Sequence, residues 1–256
     1  VVAFPITPSY TAVTIRLFAM TTAATIIYPH QLFATHPALA PERSVYLVEE
    51  PLLFTHNPIH RQKLIFHKLS LDVYERDLVA DGYDVTRLTI DEHSKTDDVF
   101  ARLKSDGVCE LHIVDTTDDY LEQAIADCGI KRVWYESPLF LLPKAEAMER
   151  YKKSKRFMAS FYKELRQDWT ILLTSDGKPV GGKWSFDDEN RERLPKHIEL
   201  PEDLRLFGNA DTVAAAAWAD TVPARQYGET GCWLPYTHAG AEKFLQEFLC
   251  TRFHNF

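Results

Sequence analysis

The sequence predicts an α/β fold, an open five-stranded parallel sheet with flanking helices, followed by a mostly helical region. Three observations lead there. At 256 residues and 45% hydrophobic, the chain is long and apolar enough to bury a sizeable core. From Met20 to Glu136, short apolar runs alternate with amphipathic stretches, the signature of β-α-β units around a parallel sheet. Beyond Pro138 and Pro143 the apolar spacing becomes helical.

The predicted strands are Thr25–Tyr28, Ser44–Val48, Tyr83–Leu88, Glu110–Val114 and Lys131–Tyr135, each rich in β-branched or aromatic residues. Between them the longest helix runs from about His60 to Ala80, with Ile65, Leu69 and Val73 on one face and Gly82 as its stop. A second spans Asp97–Ser105 and ends before Gly107. A third starts near Thr117-Asp118-Asp119, where acidic residues suit the helix dipole, and ends at Gly129. Short crossovers of this kind are right-handed. In the second half Phe157, Phe161 and Leu165 mark a helix, 174–183 reads as turns, and 194–206, with Pro195 and Pro201, reads as a linker. The Ala214–Ala217 run is ordinary helix former. Thr237 caps a last helix in which Ala241, Phe244, Leu245, Phe248 and Leu249 share a face. That stripe needs a cover, either an absent domain or the sheet domain itself.

The boundaries that follow are 1–19, an upstream or disordered leader ahead of Met20; 20–143, the α/β domain; 144–236, a helical and linker region; and 237–256, the start of a further helical unit. No run of about 18 apolar residues occurs, which excludes a membrane-spanning helix and predicts a cytoplasmic protein. Cys109, Cys128, Cys232 and Cys250 form no C-x-x-C pair, so neither a zinc knuckle nor a redox dithiol is indicated. His56 and His60 have the spacing of helical metal ligands, but Pro58 lies between them and no metal site is predicted.

The turn after the first strand, Pro29-His30-Gln31-Leu32, is neither a dinucleotide fingerprint nor a phosphate-binding loop. Ligands of open α/β sheets bind beyond the carboxyl ends of the strands, which gathers His30, Gln31, Glu49 and Glu50 around one crevice. The plainer role for the same residues is local: His30 and Gln31 satisfy loop backbone groups, and Glu49 caps a helix or faces water. A net charge of −8 argues against wholesale nucleic-acid coating. Lys144 to Arg166, however, carries eight cations against three carboxylates, a local +5 with Tyr151, Phe157 and Tyr162 interleaved. Such a segment meets a phosphate backbone or is a solvated helix face.

Arg156–Arg166 and Asp176–Arg191, the latter containing Gly-Lys-Pro-Val-Gly-Gly-Lys-Trp-Ser-Phe-Asp-Asp, resemble the deoxyribodipyrimidine photolyase-related proteins, in the branch of the cryptochrome and photolyase superfamily that holds the iron–sulfur bacterial (6-4) photolyases. Tyr28–Phe33, His36–Leu39, Val48–Pro51 and His60–Leu64 agree with that resemblance, which covers the chain from Thr25 onward. It implies the N-terminal part of a light-driven DNA-repair flavoprotein, in which an α/β antenna domain precedes an all-helical FAD domain. Residues 237–256 would then begin that helical domain. FAD and an iron–sulfur cluster would be held beyond Phe256, none of the four cysteines would serve the cluster, and the chain alone would lack activity on damaged DNA. The resemblance further implies antenna contacts from Gln31 and Glu49, beside which the crevice places His30, and DNA contacts from Lys152, Lys153, Lys155, Arg156 and Lys183. Where better-known members read Gly-Asp-Gln-Leu this chain has Pro29-His30-Gln31-Leu32, and a glutamate that helps to hold a lumazine antenna falls at Leu53. The antenna is therefore open between a ribityllumazine, another chromophore and none. The rival readings are a stand-alone α/β small-ligand module and a cryptochrome-like light sensor.

Overall fold

The computed structural model describes residues 23–187, 193, 196, 197 and 208–253. The expected leader at 1–19 and nearly all of the 194–206 linker lie outside the described residues. Five parallel strands form one open sheet: β1 (Ala23–Ile27), β2 (Ser44–Val48), β4 (Val85–Leu88), β5 (Glu110–Val114) and β6 (Lys131–Tyr135), in the order β4-β2-β1-β5-β6. The connecting helices are α1 (Pro51–Phe54), α2 (Arg61–Ala80), α3 (Thr96–Ser105) and α4 (Asp119–Asp127). A two-residue β3 (Ile59–His60) precedes α2 and pairs in parallel with β7 (Gln226–Tyr227). The remaining helices are α5 (Lys144–Lys153), α6 (Met158–Asp168), α7 (Ala210–Thr221) and α8 (His238–Thr251).

Side-chain alternation along the strands builds two cores, one on each face of the sheet. Ala24, Ile26 and Tyr28 of the β1 segment, with Tyr46 and Val48, pack against Val99, Phe100 and Leu103 of α3 and Leu121 and Ile125 of α4. Ile27, Val45 and Leu47 point the other way, against Leu64, Ile65 and Leu71 of α2 and Ala215 and Ala219 of α7. Burial on both faces is why the central strands read as continuous apolar runs. At the edge, β6 exposes Lys131 and Arg132, charges that discourage pairing with another strand.

The alanine run thus has a specific place. Ala215 and Ala219 lie one turn apart on α7 and are buried in the same core as α2. The chain beyond α7 then returns to the start of α2 through Ile59↔Gln226 and His60↔Tyr227. Helix starts follow the polar signals in the sequence. The Asp118 carboxylate accepts from Leu121 N at 3.0 Å, Asn209 accepts from Thr212 N at 3.0 Å, and Thr237 accepts from Gly240 N at 3.0 Å. No residue of α8 is buried; its first turn is tied down by His238 Nε2, 2.8 Å from Leu32 O. No helix among the described residues is long and apolar enough to cross a membrane.

Candidate functional site

The chain changes direction across the sheet between β1 and β5, stepping first through β2 to β4 and then resuming on the other side. Loops diverge at such a point and leave a crevice at the carboxyl ends of the strands. Pairing of β1 with β5 stops at Thr25↔His112, so the later carbonyls of β5 need other donors. Gln31, 1% exposed, supplies them: its Nε2 donates to Val114 O at 2.9 Å and Asp115 O at 3.3 Å, and its Oε1 accepts from Tyr28 N at 3.3 Å. His30 adds a contact of 2.9 Å from Nε2 to Thr116 O. The two side chains fasten the first loop across the switch point, and His30 lines a separate cavity with Pro29, Phe33, Tyr74 and His238.

Glu49 turns toward β4. Its Oε1 accepts from Arg87 Nη2 at 2.7 Å and Nε at 3.2 Å, and its Oε2 accepts from Ile90 N at 3.2 Å. It neither caps a helix nor faces water. The cap of α1 is Glu50, whose Oε1 accepts from Leu52 N at 3.2 Å and from the Thr96 hydroxyl at 2.5 Å. Glu50 Oε2 and the buried Tyr28 hydroxyl have no partner among the described residues. Burial raises the pKa of both groups, and the Glu50 charge adds to the rise at Tyr28.

His67 of α2 lies against the Phe54 ring at 5.4 Å, buried with neither ring nitrogen hydrogen-bonded among the described residues. Burial, then the charges of Lys63 and His30, lowers its pKa to about 3. Burial lowers that of His30 as well, so both imidazoles are neutral at pH 7. The sequence offers no local signal for His67 or Lys63, since their part here depends on where α2 starts over the sheet. What stays open at this edge is a cleft of about 450 Å³, whose lining includes Leu53, His56, His60, Lys63, Asp118 and Tyr227. Its size lies in the range of small-molecule sites. His60 is fixed there by its Nδ1, which accepts from Gln62 N at 3.2 Å, and by the Tyr227 ring edge-on at 5.3 Å.

The basic segment resolves into paired and open charges. Lys144 binds Glu122 at 2.7 Å, Lys153 binds Glu149 at 2.8 Å, and Arg150 binds Asp168 at 2.5 Å and Glu146 at 2.9 Å. Arg166 is 6% exposed and donates to Leu172 O at 2.7 Å and to Ile171 O and Trp184 O at 3.2 Å. Lys163 lies 4.9 Å from the Trp184 ring centroid, and Lys183 5.6 Å from that of Phe186. Lys152, Lys155 and Arg156 are exposed and have no carboxylate within ion-pair distance among the described residues. Of the five cations expected at DNA, Lys153 and Lys183 are thus engaged within the protein, and Lys152, Lys155 and Arg156 form the open group.

A family model described as deoxyribodipyrimidine photo-lyase-related protein matches residues 25–232. The chain belongs to this family. The uncharacterized protein R852 of Acanthamoeba polyphaga mimivirus is 34% identical over 191 residues, 68% of this chain and 95% of the viral protein. The (6-4) photolyase of Agrobacterium fabrum (strain C58 / ATCC 33970) is 30% identical over 103 residues, 36% of this chain and 19% of that enzyme.

In this photolyase-related protein the family match runs from β1 past β7 and stops short of α8. Its cleft is walled in part by Leu53, an uncharged side chain at the position where the resemblance would place an antenna-holding glutamate. Its cysteines are dispersed: Cys109 precedes β5, Cys128 caps α4, Cys232 follows β7 and Cys250 lies in α8. Among the described residues, no group of three or more His, Cys, Asp or Glu is placed to hold a metal ion.

Proposed function

We propose that this chain is the α/β part of a light-driven DNA-repair flavoprotein and is inactive on DNA lesions by itself. The observation that carries the reading is α8. Its apolar side chains Leu245 and Leu249 are exposed and none of its residues is buried, although an amphipathic helix is stable when its stripe is covered. The all-helical FAD domain of the photolyase-related family is the cover that fits. Reduced FAD bound there would supply the electron that splits a pyrimidine dimer flipped out of the duplex. The same helical domain would hold an iron–sulfur cluster if the protein carries one; the dispersed cysteines of this chain do not fit such a cluster.

The work left to this chain is binding and positioning. Lys152, Lys155 and Arg156 meet DNA phosphates, with Lys153 and Lys183 available by exchange of their present contacts. The cleft beyond β1 and β2 takes an antenna chromophore. Its lining fits a small planar ligand with polar substituents, because Tyr227 offers a ring face and His56, His60, Lys63 and Asp118 offer donors and an acceptor. Gln31, His30 and Glu49 do not line that cleft; they fasten the loops that follow β1 and β2. The apolar Leu53 favours a chromophore other than a ribityllumazine.

The purified chain is expected to bind ultraviolet-irradiated DNA with a salt-dependent affinity that falls on neutralising Lys152, Lys155 and Arg156 together, and to leave the lesions intact under blue light. Stoichiometric FAD uptake with light-dependent repair by the purified chain would overturn the proposal. A second reading, a stand-alone α/β ligand-binding module without a DNA role, is favoured by one observation: the viral relative is matched over 95% of its own length. Salt-independent or absent DNA binding would select it.

A further inference from the structure

Tyr151 of α5 and Phe161 of α6 pack edge-on at 6.1 Å. Between and beside them, Phe157 and Tyr162 remain 67% and 53% exposed. The Tyr162 ring is held from behind by the buried Arg166, whose guanidinium carbon lies 5.9 Å from its centroid. Phe157 is the N-cap of α6 and directly follows Lys155 and Arg156. Those two cations sit at φ 56° and 63°, a conformation that favours glycine. Their turn closes α5 through Lys155 N to Lys152 O at 3.1 Å and Arg156 N to Tyr151 O at 3.0 Å. A glycine at either position would relieve the strain, yet both carry long charged side chains, and backbone strain of this kind collects at functional sites.

We propose that the α5–α6 junction is a platform for unpaired nucleotides, on which bases stack against Phe157 and Tyr162 while Lys152, Lys155 and Arg156 hold the flanking phosphates. The proposal rests on the nucleic-acid reading above and narrows it. Phosphate contacts alone give no reason for exposed rings, and a duplex keeps its base faces inside the stack. Unpaired bases offer π-faces to rings and phosphates to cations in the same short stretch. A protein partner fits less well, because protein interfaces are depleted of charge at their centre, and here Lys155 and Arg156, without a carboxylate partner among the described residues, directly precede the exposed Phe157.

Fluorescence anisotropy with a labelled oligothymidine of about 20 nucleotides, long enough for one single-strand site, and with an unmodified duplex of equal length tests this. The single strand is expected to bind more tightly. Phe157→Ala and Tyr162→Ala should each weaken single-strand binding about tenfold and leave duplex binding unchanged, and Phe157→Trp should retain it. Lys155→Gln and Arg156→Gln should weaken binding to both and each reduce the single-strand salt slope by about 0.7. Matching circular dichroism and thermal melts control for folding, since every substituted side chain is exposed. Equal affinity for both forms, with aromatic variants indistinguishable from the parent, overturns the platform and leaves DNA binding through phosphates standing. No salt-dependent binding to either form defeats both readings. Aromatic variants that change the sedimentation behaviour but not nucleic-acid binding make this a protein contact and also overturn it.

Discussion

His67→Leu should flatten the acid limb of the stability curve. The imidazole packs 5.4 Å from the Phe54 ring with neither nitrogen hydrogen-bonded among the described residues, and its pKa is lowered from 6.5 to about 3. A group whose folded pKa is depressed takes up protons mainly in the unfolded chain. Its stability contribution is therefore intact above 6.5 and is lost as the pH falls toward 3. At pH 5 about one and a half units of that interval have been crossed, and at 1.36 kcal/mol per unit the loss is about 2 kcal/mol. His36, lowered to about 4 by burial, adds a loss of the same sign. Glu50, whose pKa burial raises, works the other way, because it gains its proton in the folded state first. Leucine removes the His67 titration together with two unsatisfied nitrogens. The variant should be at least as stable as the parent near neutral pH and should lose about 2 kcal/mol less on acidification to pH 5. Urea unfolding followed by circular dichroism across that range measures the difference. Parallel pH profiles for parent and variant would refute the reasoning.

Three further perturbations probe the walls of the crevice. Gln31→Leu strips Val114 O and Asp115 O of their donor and should cost about 1–3 kcal/mol in urea unfolding, without loss of helical signal. Arg87→Leu leaves Glu49, 4% exposed, without its countercharge and should cost roughly 3–5 kcal/mol; adding Glu49→Leu should recover most of it, and a double-mutant cycle by thermal denaturation reads the coupling. Gly228→Ala meets two obstacles, a φ of +82° and an added Cβ only 2.1 Å from His60 Nε2. It should cost roughly 1–3 kcal/mol and speed hydrogen exchange at Ile59, whose amide donates to Arg225 O at 2.9 Å.

The centre of the sheet was legible because β1, β2 and β5 are buried on both faces. The bounds of β2, β5 and β6 coincide with the predicted spans, and β1 and β4 differ from theirs by about two residues, the scatter expected at element ends. Tyr28 and Tyr83-Asp84 carry strand-like composition but lie beyond the parallel pairing. The packing of α7 was not legible. Its alanines seat it on α2 by being small, and small residues leave no stripe in a hydrophobic pattern. The pairing of β3 with β7 joins segments more than 160 residues apart, which no local signal announces.

The site divides along the same line. The switch-point crevice follows from strand order, but the duties of Gln31 and Glu49 do not. The partner of Gln31 is a carbonyl 83 residues along the chain, and that of Glu49 is an arginine 38 residues along. In the basic segment, by contrast, half of the neutralisation can be read directly. Glu146–Arg150 and Glu149–Lys153 are i,i+4 pairs on one helix; their carboxylates are already counted in the local +5, and the spacing shows which cations they neutralise. The pairs of Lys144 with Glu122 and Arg150 with Asp168 cross between elements and need the fold. With those pairs set aside and Lys163 and Arg166 lying over the Trp184 ring, the remaining charge is concentrated at Lys152, Lys155 and Arg156, around a turn whose left-handed backbone no composition count reveals. The functional signal therefore lies less in the number of cations than in which of them the fold leaves unpaired, and here those are the cations that border exposed rings.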